Sequence, residues 1–525
     1  MSRRAEIVVL AVIVLAAAVL ILATQPLDVF WGSDSGNRFI QLQSFLRTGG
    51  MAIDRAPHVG HHFVAVRGKD YSFYDPIFPL ASAPLYAALG LAGLFVLPIA
   101  GTLLLIFLLP LLTSASPLRV GLLVVFATPI FWYTVVFWEH TIAAGLAIAA
   151  VALAKRQRFI AAGVLAGAST LFREEGYIVI ASVAVGLLMI RRPFRETFLF
   201  LFAAAVTLSP LWIVNWKTFG HPAGLHALVY ESIASGGKLS NFFVYLFEFT
   251  SLRPWAIVLA VPAILLIVLA AVPIDDRIRV ALFVVAGVAS CISTVFLYRT
   301  SNPLHETLYL QGLFLAIPCS IAMFLAIREL WSTQRFLLVT VLTGIVLTTL
   351  ALNQADVGVV WGPRHYLWLV PLIIVLAVDA VIVLIQRSAP SIRAILIATA
   401  GVLVLTSFAD QSFGLRILRE KLQFSERMLL AVRSSPSTVV VTDVFWIPED
   451  LAAAFYEKTF IFVPDDAAFG KAFGARPFLF IASREFRRIS NRAFAPMMPR
   501  VSRRVRIVEP DLGLDVMLLE VTSDR

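Results

Sequence analysis

The sequence predicts a polytopic, all-helical membrane protein of about thirteen spans that ends in a small α/β unit. Three observations carry that prediction. Hydrophobic residues make up 59% of the 525-residue chain and charged residues only 14%, against roughly 25% charge in ordinary soluble domains. Apolar runs of near bilayer length then recur up to residue 408. Beyond that point the apolar blocks shorten to strand length, and helical stretches lie between the first of them.

The first apolar run, 7–23, follows Ser2-Arg3-Arg4. No small-x-small cleavage site follows it, so it reads as an uncleaved helix with a cytoplasmic basic flank. Further spans are expected at 92–113, 120–135, 137–154, 159–172, 177–190, 197–214, 255–273, 279–298, 310–327, 336–352, 367–385 and 392–408. Basic or mixed loops recur on the side this count makes cytoplasmic: Lys155-Arg156-Gln157-Arg158, Arg191-Arg192-Pro193-Phe194-Arg195, Asp275-Asp276-Arg277-Ile278-Arg279, and Gln386-Arg387 with Arg393. That pattern gives an N-terminus inside and a C-terminus outside. It also accounts for the net charge of +10 without a nucleic-acid partner. Cys291 and Cys319 lie in apolar runs and read as packing residues, with no disulfide framework.

The external loops are of another kind, with isolated charges among aromatics, glycine and proline. They comprise residues 25–83, Trp138-Glu139-His140-Thr141, Phe172-Arg173-Glu174-Glu175-Gly176, residues 216–255, Tyr298-Arg299 with its sequel to Glu306, and Trp361-Gly362-Pro363-Arg364-His365-Tyr366. The runs flanking Arg173 are only 13 or 14 residues, roughly 20 Å of helix against a hydrocarbon core of about 30 Å. The turn between them is therefore expected in a recess below the membrane surface, where charged backbone turns line a cavity. The competing reading is a tilted hairpin whose charges reach outward.

Asp34, in Trp31-Gly32-Ser33-Asp34-Ser35-Gly36-Asn37-Arg38, sits just after the first span. It precedes an amphipathic stretch, 39–46, expected to lie along the interface. A carboxylate so close to hydrocarbon reads either as a catalytic group or as an Asx turn or cap for that helix. His58, His61 and His62 form a cluster that, without a cysteine or matching acids, reads as a solvated loop rather than a zinc site. Tyr230-Glu231-Ser232 and Lys238 are candidate gate residues of the long loop.

Taken in order, these features resemble the GT-C superfamily of polyprenyl-phosphate-sugar-dependent glycosyltransferases, which includes protein O-mannosyltransferases and lipid A aminoarabinose transferases. The resemblance is carried by the acidic motif in a long first external loop and by Tyr74-Asp75-Pro76-Ile77-Phe78-Pro79 ahead of the next span. Leu171-Phe172-Arg173-Glu174-Glu175-Gly176 is similar to the family's Arg-Pro-Glu-like segment, with Glu174 replacing proline. Asn215-Trp216-Lys217-Thr218-Phe219-Gly220-His221-Pro222 is similar to its asparagine and Phe-Gly-x-Pro pattern. The match covers about residues 1–408. Asp34 is followed by Ser35 where many members have a second acid.

The resemblance implies an inverting transfer of sugar from polyprenyl phosphate to a hydroxyl of an envelope glycan, lipid or protein. Phosphate is already a good leaving group, so one carboxylate, Asp34, suffices as base. Arginine's planar fork suits the departing phosphate, and Arg364, Arg173, Arg299 and Arg253 are the candidates, with Arg364 first. Glu139, His140, Glu174, Glu175, His365 and Tyr74 are candidates for holding acceptor or sugar. A divalent cation, Mg or Mn, stays open, and Glu139 and His140 are read as orienting the acceptor or helping to bind such an ion. The expected location is the bacterial inner membrane, among membrane lipids, with the site on the external face.

Two other classes stay in view. A lipid-linked-sugar flippase or secondary transporter also has many spans and intramembrane charges, but no repeated halves are visible. A receptor or assembly protein leaves the polar first loop unexplained. The chain divides at 408 into an apolar catalytic part and a C-terminal part, 409–525. Strands in the latter are expected at 437–442, 459–463, 477–482, 505–508 and 516–521, and helices at 448–458 and 467–473. Asp443 ends the first strand as a ligand contact or a turn cap. The basic run 484–504 suits anionic headgroups or acidic glycans.

Overall fold

The structure, a computed structural model, describes all residues except 55–61, 227, 229–237, 250–252, 271, 301–308, 353–359, 473–476, 484–487 and 523–525. Among the described residues six helical stretches are long and apolar enough to cross a membrane: Arg3–Thr24, Ile77–Leu112, Phe194–Phe219, Asp276–Arg299, Val370–Arg387 and Pro390–Ser434. Shorter apolar helices, among them His140–Lys155, Phe159–Phe172, Gly176–Met189 and Arg335–Ala351, pack between them. Large apolar side chains face outward on the long helices, including Val12 and Leu20, Phe198 and Phe202, and Val285 and Val288. A continuous apolar exterior of this kind is what lipid requires and water penalises.

Several expected spans change shape. The expected span 92–113 begins earlier, at Ile77, and is interrupted by the 3₁₀ turn Gly90–Phe95. The expected span 120–135 is split into Pro117–Phe126 and Ile130–Thr134, because Pro129 brings no backbone donor to continue the ladder. The expected span 310–327 is no single helix. It is the short strand Tyr309–Leu310, the turn of helix Leu313–Ala316 and the 3₁₀ segment Pro318–Phe324, buried along its length. Its apolarity reflects core burial on every side rather than lipid contact.

Four short strands precede the C-terminal part: β1 (Phe63–Val66) and β2 (Lys69–Ser72) form an antiparallel hairpin, and β3 (Tyr309–Leu310) pairs in parallel with β4 (Val360–Trp361). The C-terminal sheet follows, with β5 (Val439–Thr442), β6 (Thr459–Phe462), β7 (Phe478–Ser483), β8 (Val501–Glu509) and β9 (Leu514–Val521) in the order β6-β5-β7-β9-β8. β5 is parallel to β6 and β7, while β9 runs antiparallel to β7 and β8. All five strands fall on the expected blocks. The expected helix at 448–458 is reduced to Ile447–Asp450 and the 3₁₀ turn Ala452–Ala454, and that at 467–473 is Asp466–Ala472.

Residue 408 falls inside the 45-residue helix Pro390–Ser434, which at 1.5 Å per residue is about 68 Å long. One buried stripe runs along it: Leu403, Ser407, Asp410 and Gln411, Gly414, Leu418, Lys421 and Leu422, Ser425. Asp443, at the end of β5, accepts from the backbone N–H of Arg488 at 3.0 Å and of Ile489 at 3.3 Å, and so ties down the segment entering Asn491–Phe494.

Candidate active site

The expected interfacial stretch is the helix Ser33–Thr48, which opens on Gly32 in extended conformation and closes on Gly49 in the left-handed region. Asp34 lies in its first turn, where a carboxylate is favoured by the helix dipole. The side chain does not cap the helix. Its Oδ1 accepts from the Tyr74 hydroxyl, and its Oδ2 lies 3.2 Å from Nη1 of Arg364. Burial opposes the charge on Asp34. Arg364, Arg38 and His62, with the Tyr74 hydrogen bond, outweigh it and hold the carboxyl below the ordinary carboxylate range. Burial and the neighbouring Asp34 push the Tyr74 phenol well above its ordinary value, so it stays a donor.

From Asp34 the polar groups close into a ring. Arg38, one turn along the helix, donates to the Asp34 carbonyl at 2.9 Å and grips Glu139 through Nη2 and Nε, each at 2.6 Å. Glu139 precedes the helix His140–Lys155 and also accepts from Nη1 of Arg173 at 2.8 Å. Arg173 ends the helix Phe159–Phe172 and pairs with both oxygens of Glu175, at 2.8 and 2.5 Å. Glu175 is bonded to Nδ1 of His365 at 2.7 Å, and Nε2 of His365 receives Nε of Arg364 at 3.3 Å. Arg364 returns to Asp34.

The ring fixes the state of its one imidazole. Burial and the adjacent Arg364 push His365 down to about 4, with the Glu175 hydrogen bond opposing, so the ring is neutral at physiological pH. The neutral tautomer that fits carries its proton on Nδ1, donating to Glu175, and leaves Nε2 to accept from Arg364. Glu175 is pressed towards neutrality by burial, but Arg173 and His365 hold it well below the ordinary carboxylate range. Three guanidiniums thus face three carboxylates, in a setting where each unpaired charge would be costly.

The turn that presents Arg364 follows from Gly362 and Pro363. Gly362 takes a positive φ of 74°, and a side chain there would also strike Pro129. Behind Arg364, Trp138 lies with its ring centroid 5.9 Å from the guanidinium. A small cleft opens beside the ring, lined by His140, Ser169, Arg173, Glu175, Arg364 and His365. Both nitrogens of His140, Nε1 of Trp138 and the Tyr133 hydroxyl are buried without a hydrogen-bond partner among the described residues. Such groups are costly unless a ligand or water meets them.

Of the residues singled out from sequence, Asp34, Tyr74, Glu139, His140, Arg173, Glu175, Arg364 and His365 come together here. Glu174 points away, to His226 Nδ1 at 2.7 Å. Arg253 is in a separate buried pair with Glu248. Arg299 lies exposed near the end of the helix Asp276–Thr300. His62 is not in a solvated loop: it is 14% exposed and bonds Glu449 through Nδ1 at 2.7 Å, because aromatic rings and a buried acid enclose it. His58 and His61 lie outside the described residues, as do Tyr230, Glu231 and Ser232. Lys238 Nζ donates to the Leu352 carbonyl at 3.3 Å, at the start of Lys238–Phe247. Glu139 does not suit a Mg or Mn ion, since its carboxylate is already shared by two arginines. Among the described residues no group of three or more acids, histidines or cysteines is arranged to hold a metal.

Arg38, which joins this ring through the Asp34 carbonyl and Glu139, is the residue that sequence reasoning missed. Its spacing of four from Asp34 on one helix was the signal available. Glu449 had no sequence signal, since its side-chain partner His62 lies 387 residues away.

No family model and no curated protein matches this chain. Two solved structures are similar to it over nearly the whole length. One is ArnT from Cupriavidus metallidurans bound to undecaprenyl phosphate, with a TM-score of 0.48 and 12% identity, covering 97% of each chain. The other is the apo state of the same protein, with a TM-score of 0.47 and 11% identity, again covering 97% of each. Likeness at that level leaves the function of this chain to be argued from its own residues.

Proposed function

We propose that this chain is a GT-C-type glycosyltransferase of the bacterial inner membrane. It moves a sugar from a polyprenyl-phosphate donor to an extracytoplasmic hydroxyl acceptor on a glycan, lipid or protein. The observation that carries the reading is the placing of Asp34. A half-buried carboxylate, kept ionised by its arginine neighbours, stands in the first turn of the helix Ser33–Thr48, joined to an arginine that borders a cleft among apolar helices. Residues 1–408 carry the chemistry in this reading, and 409–525 form the external unit.

In the reaction, the acceptor hydroxyl gives its proton to Asp34 as its oxygen attacks the anomeric carbon. The bond from that carbon to the phosphate oxygen breaks on the opposite face, and polyprenyl phosphate leaves with the electron pair. One base suffices because the leaving group needs no proton. Arg364 and Arg173 border the cleft and offer fixed positive charge to the departing phosphate. The unsatisfied nitrogens of His140 suit sugar hydroxyls. Glu139, Glu175 and His365 hold the arginines in place.

The test is purified full-length protein with synthetic polyprenyl-phosphate sugars and extracted envelope glycans, comparing wild type with Asp34→Asn. Transfer by wild type and its loss in a folded Asp34→Asn protein is the expected result. Undiminished transfer by the variant removes Asp34 as base. Movement of the lipid-linked sugar across proteoliposomes with no bond formed replaces the enzyme with a transporter.

A further inference from the structure

The C-terminal part reaches into the candidate site through one acid. Glu449, in the short helix Ile447–Asp450, is fully buried, and its Oε1 holds His62 Nδ1 at 2.7 Å. The His62 ring stacks on Tyr74, with centroids 5.8 Å apart and planes 28° from parallel. Tyr74 in turn donates to Asp34, and Arg38 lies 4.2 Å from the centre of the same phenol ring. Asn37, between Asp34 and Arg38 in sequence, accepts from Ser72 at 2.5 Å through Oδ1.

The backbone makes the same junction. A Cβ at Gly36 would collide with the Glu449 carbonyl, so only glycine lets the interfacial helix seat on this turn. The N–H of Phe30 donates to the Asp450 carbonyl at 3.4 Å. Asp450 is held from the other side by Lys421 of the long helix, which also donates to Ser425 at 3.0 Å. Burial opposes a charge on His62, yet Glu449 and Asp34 raise it above the ordinary imidazole value. A buried acid placed at this junction costs several kcal/mol unless its partners repay it, and a histidine partner stacked on the Asp34 donor is an unusual choice for simple glue.

We propose that Glu449 is a positioning residue for the transfer reaction: by holding the His62 imidazole against Tyr74, it fixes the hydroxyl that Tyr74 donates to Asp34. The C-terminal part thereby completes a site whose reacting groups lie elsewhere in the chain. This inference rests on the reading of Asp34 as the base.

The test uses full-length protein in nanodiscs, with synthetic undecaprenyl-phosphate sugars and envelope glycan extract as probes. Glu449→Ala and His62→Ala are each expected to lower kcat about 30-fold with donor KM within about twofold, in the range seen when supporting partners of a reactive group are removed. The double variant loses no more than either single one, because the two act as one unit. Glu449→Gln keeps an acceptor oxygen for Nδ1–H and retains kcat within about threefold. Hydrogen exchange, which needs no turnover, gives a second readout: residues 70–76 exchange faster in Glu449→Ala but not in Glu449→Gln. Wild-type kcat in either alanine variant, losses that multiply in the double, or unchanged exchange at 70–76 overturns the proposal. If Glu449→Ala does not fold, His62→Ala alone decides by the same kcat criterion. Loss of transfer in Asp34→Asn with full activity in His62→Ala defeats only this inference, whereas undiminished transfer in Asp34→Asn defeats the reading beneath it.

Discussion

Arg364 and Arg253 were equivalent candidates as letters in a sequence, yet their surroundings differ in one respect that decides what each can do. Arg253 is paired with Glu248, and the second oxygen of Glu248 takes the backbone N–H groups of Gln311, at 2.7 Å, and Gly312. Both side chains are under 5% exposed, and every bond lies within protein. Arg364 is shared between Asp34 and His365 at the longer distances of 3.2 and 3.3 Å, beside a cleft and within reach of Trp138. A closed pair is a clamp. An arginine that borders a cleft is, in the proposed function, placed to meet a visiting anion.

That contrast is exposed to several measurements. Asp34→Asn is the strongest: it should reduce transfer about 1000-fold, the scale of a lost general base, with melting temperature retained. Arg253→Ala should instead destabilise the fold by roughly 3 to 5 kcal/mol, since it strands Glu248 in the interior, while folded protein keeps its donor KM. Thermal melts and kinetics on the same samples separate the two outcomes. Arg364→Ala should cost about 100-fold in kcat/KM for the donor, and Arg364→Lys should recover little because an ammonium lacks the planar fork. If Arg253→Ala abolished transfer and Arg364→Ala only softened the fold, the comparison would be inverted.

The smallest effect concerns a third acid that neither cluster uses. Burial, reinforced by Glu174, pushes Asp75 up to about 7 from its ordinary 3.8, with His226 opposing. Folded protein therefore binds this proton more tightly than unfolded chain. The stability associated with Asp75 is full below the unfolded value and is lost as pH rises towards the folded one. Between about pH 4 and about pH 6 the loss is roughly 2 kcal/mol. Asp75→Asn should flatten that slope, as denaturation at the two pH values will show.

Much of the fold was legible because its signals are local. The 14-residue helices on either side of Arg173 were read from uninterrupted apolar runs, and the five strands of the C-terminal sheet from short β-branched blocks. The segment at 310–327 was misread because a buried element and a lipid-facing one look alike in hydropathy, and only Gly312 and Pro318 hinted at the break. In the site, Asp34, Arg364 and Arg173 stood out because charge is rare beside apolar spans. Glu248 did not, because pairing across loops leaves no periodic trace. His62 was misjudged for a related reason: the acid that encloses it is 387 positions away.

The long helix Pro390–Ser434 carries one further consequence. Its single buried stripe seats Gly414 against Trp361 among the apolar helices and, two turns later, Lys421 on Asp450 at the edge of the sheet. One inserted residue anywhere between them would swing everything downstream by about 100°, and Lys421 would miss its acid. Seven inserted residues, very nearly two turns, would keep the bearing but lift the sheet by about 10 Å, away from the helix that bears Asp34. Indels in this stretch thus meet two obstacles, one of angle and one of height, and the spacing from Gly414 to Lys421 acts as a ruler between the apolar helices and the sheet.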